Sequence, residues 1–261
     1  MLKSDLGIKR WPFLLLAGAI LLGAGAGPSM ADETDTTPNL SRNLTRFERQ
    51  SNLISGSIKN EINGWDVGLK YLYGRTSRRG DDFLSMRSFT PTLGHSVTDS
   101  WYVSLRYNYQ NKDFIGADND RRDGGLNSGM IDNFLFFRDG KAYFSLGYQA
   151  EGENTDWDEL DYFGHIFHAR LKLPITVDQL KSWDPAINVG LKYADKDYSG
   201  VTPSIGAERK DERTTFNLGL NANLSRHVFA KFDYEYTDTQ SNLKSSNFNE
   251  NIVTFSVGVR Y

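Results

Sequence analysis

Cysteine is absent from the 261 residues, which excludes a disulfide framework and any metal site built on thiolates. A strong positive charge is absent as well. The 30 basic and 33 acidic residues leave a net charge of −3, whereas the surface of a nucleic-acid-binding protein is strongly basic. We therefore expect no nucleic-acid partner.

Beyond its first 31 residues, the sequence also lacks an apolar run of about 20 residues, the length of a membrane-spanning helix. A membrane protein without such helices must be a closed β-barrel, because backbone polar groups in lipid need internal hydrogen-bond partners. The mean hydropathy of −0.51 is polar. This value does not exclude a barrel, since only alternate residues of a barrel strand face lipid.

The amino terminus has the three parts of a secretory signal peptide. A basic start is followed by an apolar stretch over residues 11–26 and by the small-x-small sequence Ser29-Met30-Ala31. We expect cleavage after Ala31, a periplasmic segment over residues 32–51 and a folded domain over 52–261. A retained amino-terminal anchor is the alternative.

Period-two alternation runs along the rest of the chain. Between Trp101 and Gln110, the odd positions are apolar or aromatic, and the even positions include Ser104, Arg106 and Asn108. Similar runs occupy residues 65–73, 142–150, 163–173, 187–193, 214–224 and 228–236. Alternation of this kind is typical of strands with one apolar face.

The length of these runs separates a membrane barrel from a soluble β-sandwich. Strands of soluble sheets have about 5–6 residues, and strands that cross an outer membrane have about 9–11. The apolar faces often begin or end in Tyr or Trp, as an aromatic girdle requires. The sequence therefore predicts an all-β, antiparallel, up-and-down transmembrane β-barrel.

The number of strands is less sharply defined. Ten strands follow Gly64, and Asn52–Asn60 forms an eleventh. An even count then places a twelfth strand within Asn39–Gln50. A ten-stranded barrel with an amino-terminal helix or plug is the alternative. Long polar connections over 75–82, 111–126, 152–159, 195–211 and 237–249 alternate with shorter ones, which predicts periplasmic termini.

The alternation places whole charges on the face that would line the lumen. Eight basic and four acidic residues have this parity: Asp66, Lys70, Arg106, Glu151, Arg170, Lys172, Lys192, Arg213, Lys231, Asp233, Glu235 and Arg260. Because charged rings set the ion preference of a pore, an open lumen would prefer anions modestly. The alternative is that the charges pair across a filled lumen, in a structural or adhesive barrel that works through its outer loops.

Catalytic groups are sparse. Of the four histidines, His168 has the lumen-facing parity and His165 the lipid-facing parity. His95 lies beside Ser96, and His227 comes just after Ser225. Neither pair makes a nucleophile–base dyad, because sequence neighbours on a strand point to opposite faces. We expect no enzyme, no cofactor and no metal site. A hydrolase on the barrel wall, with activity lost in His168→Ala, is a second alternative.

The carboxyl-terminal strand, Asn251–Tyr261, alternates in the same way. Phe255, Val257, Val259 and Tyr261 form its lipid face. A terminal aromatic residue on such a strand resembles the signal that the barrel-assembly machinery reads. The expected partners are therefore this machinery, outer-membrane lipid and lipopolysaccharide.

Three segments resemble the carboxyl-terminal barrel of surface lipoprotein assembly modifiers, a family of Gram-negative outer-membrane proteins. They are residues 90–114, residues 197–242 and the closing NENIVTFSVGVRY. The most characteristic parts are the Arg209–Arg213 segment, RKDER, and Ser241-Asn242. The resemblance implies a role in bringing lipoproteins or polysaccharides to the cell surface. Between Ala31 and Ser51 there is no room for a 34-residue helical repeat, so a periplasmic or lipoprotein partner would have to supply cargo capture.

Overall fold

A computed structural model describes residues 49–78, 80–116 and 120–259. Eleven strands make up almost all of it. They are β1 (Arg49–Ile62), β2 (Trp65–Arg78), β3 (Asp81–Thr98), β4 (Trp101–Phe114), β5 (Gly124–Phe137), β6 (Ala142–Thr155), β7 (Tyr162–Pro174), β8 (Ala186–Thr202), β9 (Ala207–Asn223), β10 (Val228–Ser241) and β11 (Phe248–Val259). Short 3-10 turns occupy Asp120–Arg122, Asp158–Leu160, Asp178–Trp183 and Lys244–Ser246.

The strands form one antiparallel sheet in chain order, so each strand pairs with the next one along the sequence. The β1–β2 hairpin turns through Asn63 and Gly64, both with positive φ, which suits the two-residue turns that join twisted strands. The connections that follow β2, β4, β6, β8 and β10 leave the sheet at one end, here called the outer end. The remaining connections lie at the inner end.

The predicted all-β, up-and-down architecture is confirmed. Asn52–Asn60 belongs to β1, so the ten-stranded alternative is wrong. The predicted twelfth strand falls on residues outside the described part, except for Arg49 and Gln50, which begin β1. The predicted signal peptide, residues 1–31, also lies outside it. Among the described residues, β1 and β11 each pair on one side only, and both run in the same direction.

The two faces of the sheet have opposite polarity. Apart from glycine and proline, fifteen of the described residues are buried, and eleven of these are polar or charged: Thr76, Ser128, Asp132, Ser145, Glu151, Glu153, His168, Asp211, Thr215, Thr237 and Thr239. Large apolar side chains on the other face are exposed, such as Phe167 at 52% and Phe255 at 70%. A soluble protein buries its apolar side chains and exposes its polar ones. This sheet does the reverse, as a barrel in lipid must.

The polar face is concave. Strands two positions apart in a sheet lie roughly 9–10 Å from one another. Side chains on the polar face nevertheless meet across an intervening strand, as in the contacts of Lys112 on β4 with Glu153 on β6 and of Glu151 on β6 with Lys196 on β8. Such contacts cover the polar face while the apolar face stays bare, which is the arrangement of a barrel whose polar face is the concave, inner one. The apolar face is therefore the convex, outward one.

The strands contain 12 to 18 residues, more than the ~9–11 that cross an outer membrane. Two of the predicted long outer connections are consequently wrong. Residues 75–82 and 195–211 mostly continue as the paired strands β2–β3 and β8–β9. Cross-strand pairs stabilise these polar extensions, for example Lys210 with Asp197 at 2.9 Å. No helix in the described ranges is long and apolar enough to span a membrane.

Candidate functional site

The concave face carries the residues that the sequence assigned to the lumen. By strand register, all of the predicted charged residues on β2, β4 and β6 to β10 lie on this face. Arg260, the last of the predicted set, lies outside the described residues. The face has two layers, a buried layer near the backbone and longer side chains that extend beyond it.

Asp132 and His168 form the most buried contact of the first layer. His168 Nε2 lies 2.5 Å from Asp132 Oδ1, and the two side chains are 5% and 7% exposed. Asp132 is on β5 and His168 on β7, with Gly147 of β6 paired to both. A Cβ atom on Gly147 would lie closer than 3.0 Å to both contacting atoms. The glycine therefore leaves the space through which the two side chains meet.

Ser145 lies on β6 two residues before Gly147, and on the same face. Its side chain is almost fully buried, and its Oγ atom has no hydrogen-bond partner among the described residues. Its register partner on β7 is Arg170 rather than His168. The residue types of a nucleophile, a base and an acid thus occur near one another. All three side chains are buried in the folded chain.

A second cluster lies at the outer end and centres on Glu151. Its carboxylate accepts hydrogen bonds from Gln149 at 2.7 Å and from the Tyr162 hydroxyl at 3.0 Å. Lys196 Nζ lies 2.8 Å from the same carboxylate and 3.9 Å from the centre of the Tyr162 ring. Lys112 pairs with Glu153 at 2.5 Å. These contacts neutralise both glutamates of β6.

Tyr162 is the first residue of β7 and Tyr198 lies beside it on β8. Their rings lie 5.5 Å apart. Burial, the largest cause, raises the pKa of both phenols, and the neighbouring carboxylates Glu151 and Glu153 raise the pKa of Tyr162 further. Both phenols therefore stay protonated at neutral pH and act as neutral hydrogen-bond donors.

The two most characteristic parts of the family resemblance, Arg209–Arg213 and Ser241-Asn242, meet at the outer end. Arg209 stacks on Tyr198 at 4.6 Å and pairs with Asp211. Asn242 accepts a hydrogen bond from the Lys210 amide at 2.9 Å and donates one to the Glu208 carbonyl at 2.8 Å. The Asn242 amide also donates a backbone hydrogen bond to the Lys210 carbonyl at 3.3 Å, so the last outer connection is attached to β9 through this one residue.

The second layer of the concave face is basic. Five cationic side chains on five different strands are exposed: Lys70 on β2, Arg106 on β4, Arg170 on β7, Lys192 on β8 and Arg213 on β9. None of them forms an ion pair with another residue of the described ranges. Lys231, by contrast, forms an ion pair with Asp233, with 2.9 Å between Lys231 Nζ and Asp233 Oδ2. Two of the predicted acidic residues, Asp66 and Glu235, accept hydrogen bonds from Tyr102 and Asn217 instead.

Sequence reasoning missed several charged members of this face: Lys112, Asp132, Glu153 and Lys196. Each has the same parity as the predicted residues of its strand, so alternation alone could have found them. Lys112, Glu153 and Lys196 lie in segments that were assigned to loops, and Asp132 lies in a run with two apolar faces. In the described ranges, no three His, Asp or Glu side chains are grouped closely enough to hold a metal ion.

The predicted assembly signal lies on the last strand. Phe255, Val257 and Val259 are 70%, 59% and 58% exposed on the convex face of β11. Tyr261 lies outside the described residues. Recognition of this strand by the assembly machinery stays a prediction.

The sequence matches no curated protein. Its residues 179–261 match the family model described as "Putative beta-barrel porin 2", a stretch that takes in β8 to β11. The resemblance to surface lipoprotein assembly modifiers is not confirmed by this match.

Solved structures of outer-membrane proteins are similar in fold. A loop L8 deletion mutant of OmpT, an outer membrane protein of Vibrio cholerae, matches with a TM-score of 0.52 at 13% identity, over 80% of this chain and 62% of that one. The siderophore receptor PirA from Pseudomonas aeruginosa matches with a TM-score of 0.45 at 13% identity, over 82% of this chain and 39% of that one. The translocator domain of the autotransporter NalP from Neisseria meningitidis matches with a TM-score of 0.44 at 13% identity, over 82% of this chain and 80% of that one.

The chain therefore spans less than two thirds of the length of the OmpT mutant and of PirA. The likeness to the OmpT mutant shows the fold, which is that of an outer-membrane β-barrel. Together with the porin family model, it supports the outer membrane as the location of the chain.

Proposed function

We propose that the chain forms a channel through the outer membrane for small hydrophilic solutes, with a modest preference for anions. One observation carries this proposal. Five cationic side chains on the concave face are exposed, although they extend over a buried polar layer. Exposed charges on a concave face indicate space that water can enter, which a filled lumen would not provide.

The charge pattern supports the preference for anions. Glu151 and Glu153 are neutralised by lysines, whereas none of the five exposed cations lies within ion-pair distance of a carboxylate among the described residues. Unpaired charges in a narrow aqueous space raise the local concentration of counter-ions. Chloride and small organic anions should therefore enter more readily than cations of similar size.

Conductance in planar bilayers tests the proposal. The refolded chain should give stable conductance steps, and a KCl gradient should give a reversal potential of the sign expected for chloride preference. Gln in place of Arg106, Arg170 and Lys192 together should abolish that preference. Lys244→Gln, which removes an exposed cation from an outer connection, should leave the reversal potential unchanged.

Two results would overturn the proposal. A correctly folded barrel without conductance would favour the plugged, adhesive alternative. Cation preference in the unmodified chain would show that the exposed cations do not control permeation.

The proposed orientation places both termini in the periplasm. Because β1 starts at the same end as β11, this orientation needs one further crossing before Arg49. The natural absence of cysteine makes single-cysteine labelling a clean test. Lys244→Cys should react with an impermeant maleimide on intact cells and Lys181→Cys only after lysis. The reverse pattern would invert the orientation. Outer-membrane lipid and the assembly machinery are the proposed partners.

A role in surface export is a second candidate, because the two most characteristic parts of the family resemblance meet at the outer end. Asn242 and Arg209 connect the last outer connection to β8 and β9. If the chain exports a lipoprotein, its deletion should reduce surface exposure of that lipoprotein in intact cells. Normal exposure would exclude this role.

The proposed function is not enzymatic. Ser145 and His168 are buried, and so the refolded chain should hydrolyse neither lipid nor peptide. Hydrolysis that is lost in His168→Ala would establish the barrel-wall enzyme instead.

A further inference from the structure

Two depressions adjoin on the convex face of strands β2 to β6. The one nearer the outer end measures about 520 Å³ and has polar walls, which include Arg87, Tyr109, Asn111, Asp113 and Asn154. The other measures about 690 Å³ and has apolar walls, which include Val67, Pro91, Leu93, Leu105, Ile131 and Tyr148. Strand register places them one above the other on the same strip of the sheet.

Two residues without a protruding side chain create the apolar depression. Pro91 lies in the middle of β3, an interior strand, and the β3–β4 ladder is interrupted at Thr90 and Pro91. Proline cannot donate a ladder hydrogen bond and is rare in such a position. Gly129 on β5 would have open space around an added Cβ atom. On the concave side, Asn108 compensates for the gap by accepting hydrogen bonds from Ser88 and Thr90.

The polar depression contains hydrogen-bonding groups that the chain does not use. Among the described residues, the side chains of Arg87, Asn111, Asp113 and Asn154 have no hydrogen-bond or ion-pair partner. Arg87 and Asp113 are exposed. One cation, one carboxylate and two amides offer both donors and acceptors, which suits sugar hydroxyls together with a phosphate.

Aromatic residues mark the boundary between the two depressions. Phe89, Tyr107 and Tyr109 are exposed at 45%, 46% and 44% on adjacent rows of the convex face. Such residues are typical of the interface between head groups and acyl chains. From Arg87 to Leu93 the strip extends roughly 20 Å at ~3.3 Å per residue. It thus begins outside the aromatic rows and ends within the lipid-facing band.

We propose that this strip binds one glycolipid of the outer leaflet, an acylated sugar phosphate. Its phosphate would meet Arg87, its sugar hydroxyls would meet Asn111, Asp113 and Asn154, and one acyl chain would occupy the depression at Pro91 and Gly129. The site rests on the outer-membrane location and on the proposed orientation, which puts the outer end at the cell surface, but it does not depend on conductance. An amphiphile fits because the two halves of the strip differ in polarity, whereas a second barrel would present an apolar surface to both.

Native mass spectrometry of the refolded chain in nanodiscs tests the site. The probe is lipopolysaccharide without O-antigen, added to phosphatidylcholine discs, with phosphatidylglycerol as a separate anionic probe. Gly129→Leu fills the apolar depression and Arg87→Gln removes the cation. Each should weaken lipopolysaccharide binding by about tenfold or more, as loss of a charged hydrogen bond or a buried chain does. The matched controls are Ala230→Leu on the convex face of β10 and Lys244→Gln, which should not change binding.

Three outcomes would overturn the glycolipid site. Equal effects of the variants and their controls would show that the strip is ordinary lipid-facing surface. Equal affinity for phosphatidylglycerol would show a general anion preference without recognition of a sugar. A change of oligomeric state in Gly129→Leu, without a change in lipopolysaccharide binding, would assign the face to a second copy. Bilayer recordings of the same preparations separate this site from the channel, since either result can fail without the other.

Discussion

Alanine at Gly147 should break the most buried polar contact of the barrel. Its Cβ atom would lie closer than 3.0 Å to His168 Nε2 and Asp132 Oδ1, and the three strands leave it no room to move. The contact must therefore open. Two side chains that are only 5% and 7% exposed would then lack their partners.

The expected loss follows from that burial. A buried polar group left without its partner costs about 1–3 kcal/mol, and alanine recovers about 0.5–1 kcal/mol of strand preference relative to glycine. For two such groups, Gly147→Ala should lower the free energy of unfolding by roughly 2–4 kcal/mol. Urea unfolding from lipid vesicles, followed by tryptophan fluorescence, measures this quantity.

A double-mutant cycle tests the cause. In a background in which Asp132 and His168 are both alanine, the contact is already absent and both clashing side chains are gone, so the same glycine substitution should cost less than about 0.5 kcal/mol. Gly56→Ala is the matched control, because nothing lies within 4 Å of its added Cβ atom. An equal cost of Gly147→Ala in both backgrounds would refute the reasoning, as would a cost no larger than that of the control.

Two further predictions concern the outer end. The raised pKa of Tyr162 means that the folded chain keeps a proton that the unfolded chain loses near pH 10. This contribution to stability should be complete below about pH 10 and should decline above it, so the stability difference between the unmodified chain and Tyr162→Phe should shrink from about pH 9 to about pH 11. A stability difference between the two chains that stays the same over this pH range would contradict the raised pKa of Tyr162. Asn242→Ala removes two hydrogen bonds to β9 and should cost about 1–2 kcal/mol, with faster amide exchange at Lys210. Exchange at Gly219, far along the same strand, serves as the internal reference.

The alternation of side chains determined most of the fold. Along β4, apolar and polar side chains alternate so regularly from Trp101 to Tyr109 that only one face of the strand can meet lipid, because a strand has a side-chain period of two. The same rule placed Lys70 and Arg106 on the concave face. Where both faces of a run carry apolar residues, as around Asp132 on β5, the alternation could not assign side chains to the lumen or to the lipid face.

Loop positions were harder to predict, since composition does not reveal pairing. Residues 195–211 are polar and resemble a loop, yet Lys196 and Asp211 pair within a long hairpin. Outside the membrane, polar residues can form strands as well as loops, and the cross-strand partner decides between them.

The sequence by itself therefore determined the class of fold, the polarity of each face and most of the charged residues of the lumen side. Only the tertiary structure decided that His168 meets Asp132 across Gly147, and that Pro91 and Gly129 lie on either side of Tyr107 on the convex face. Register and curvature bring these residues together from separate strands. No local pattern records such distances, because they depend on how neighbouring strands are aligned.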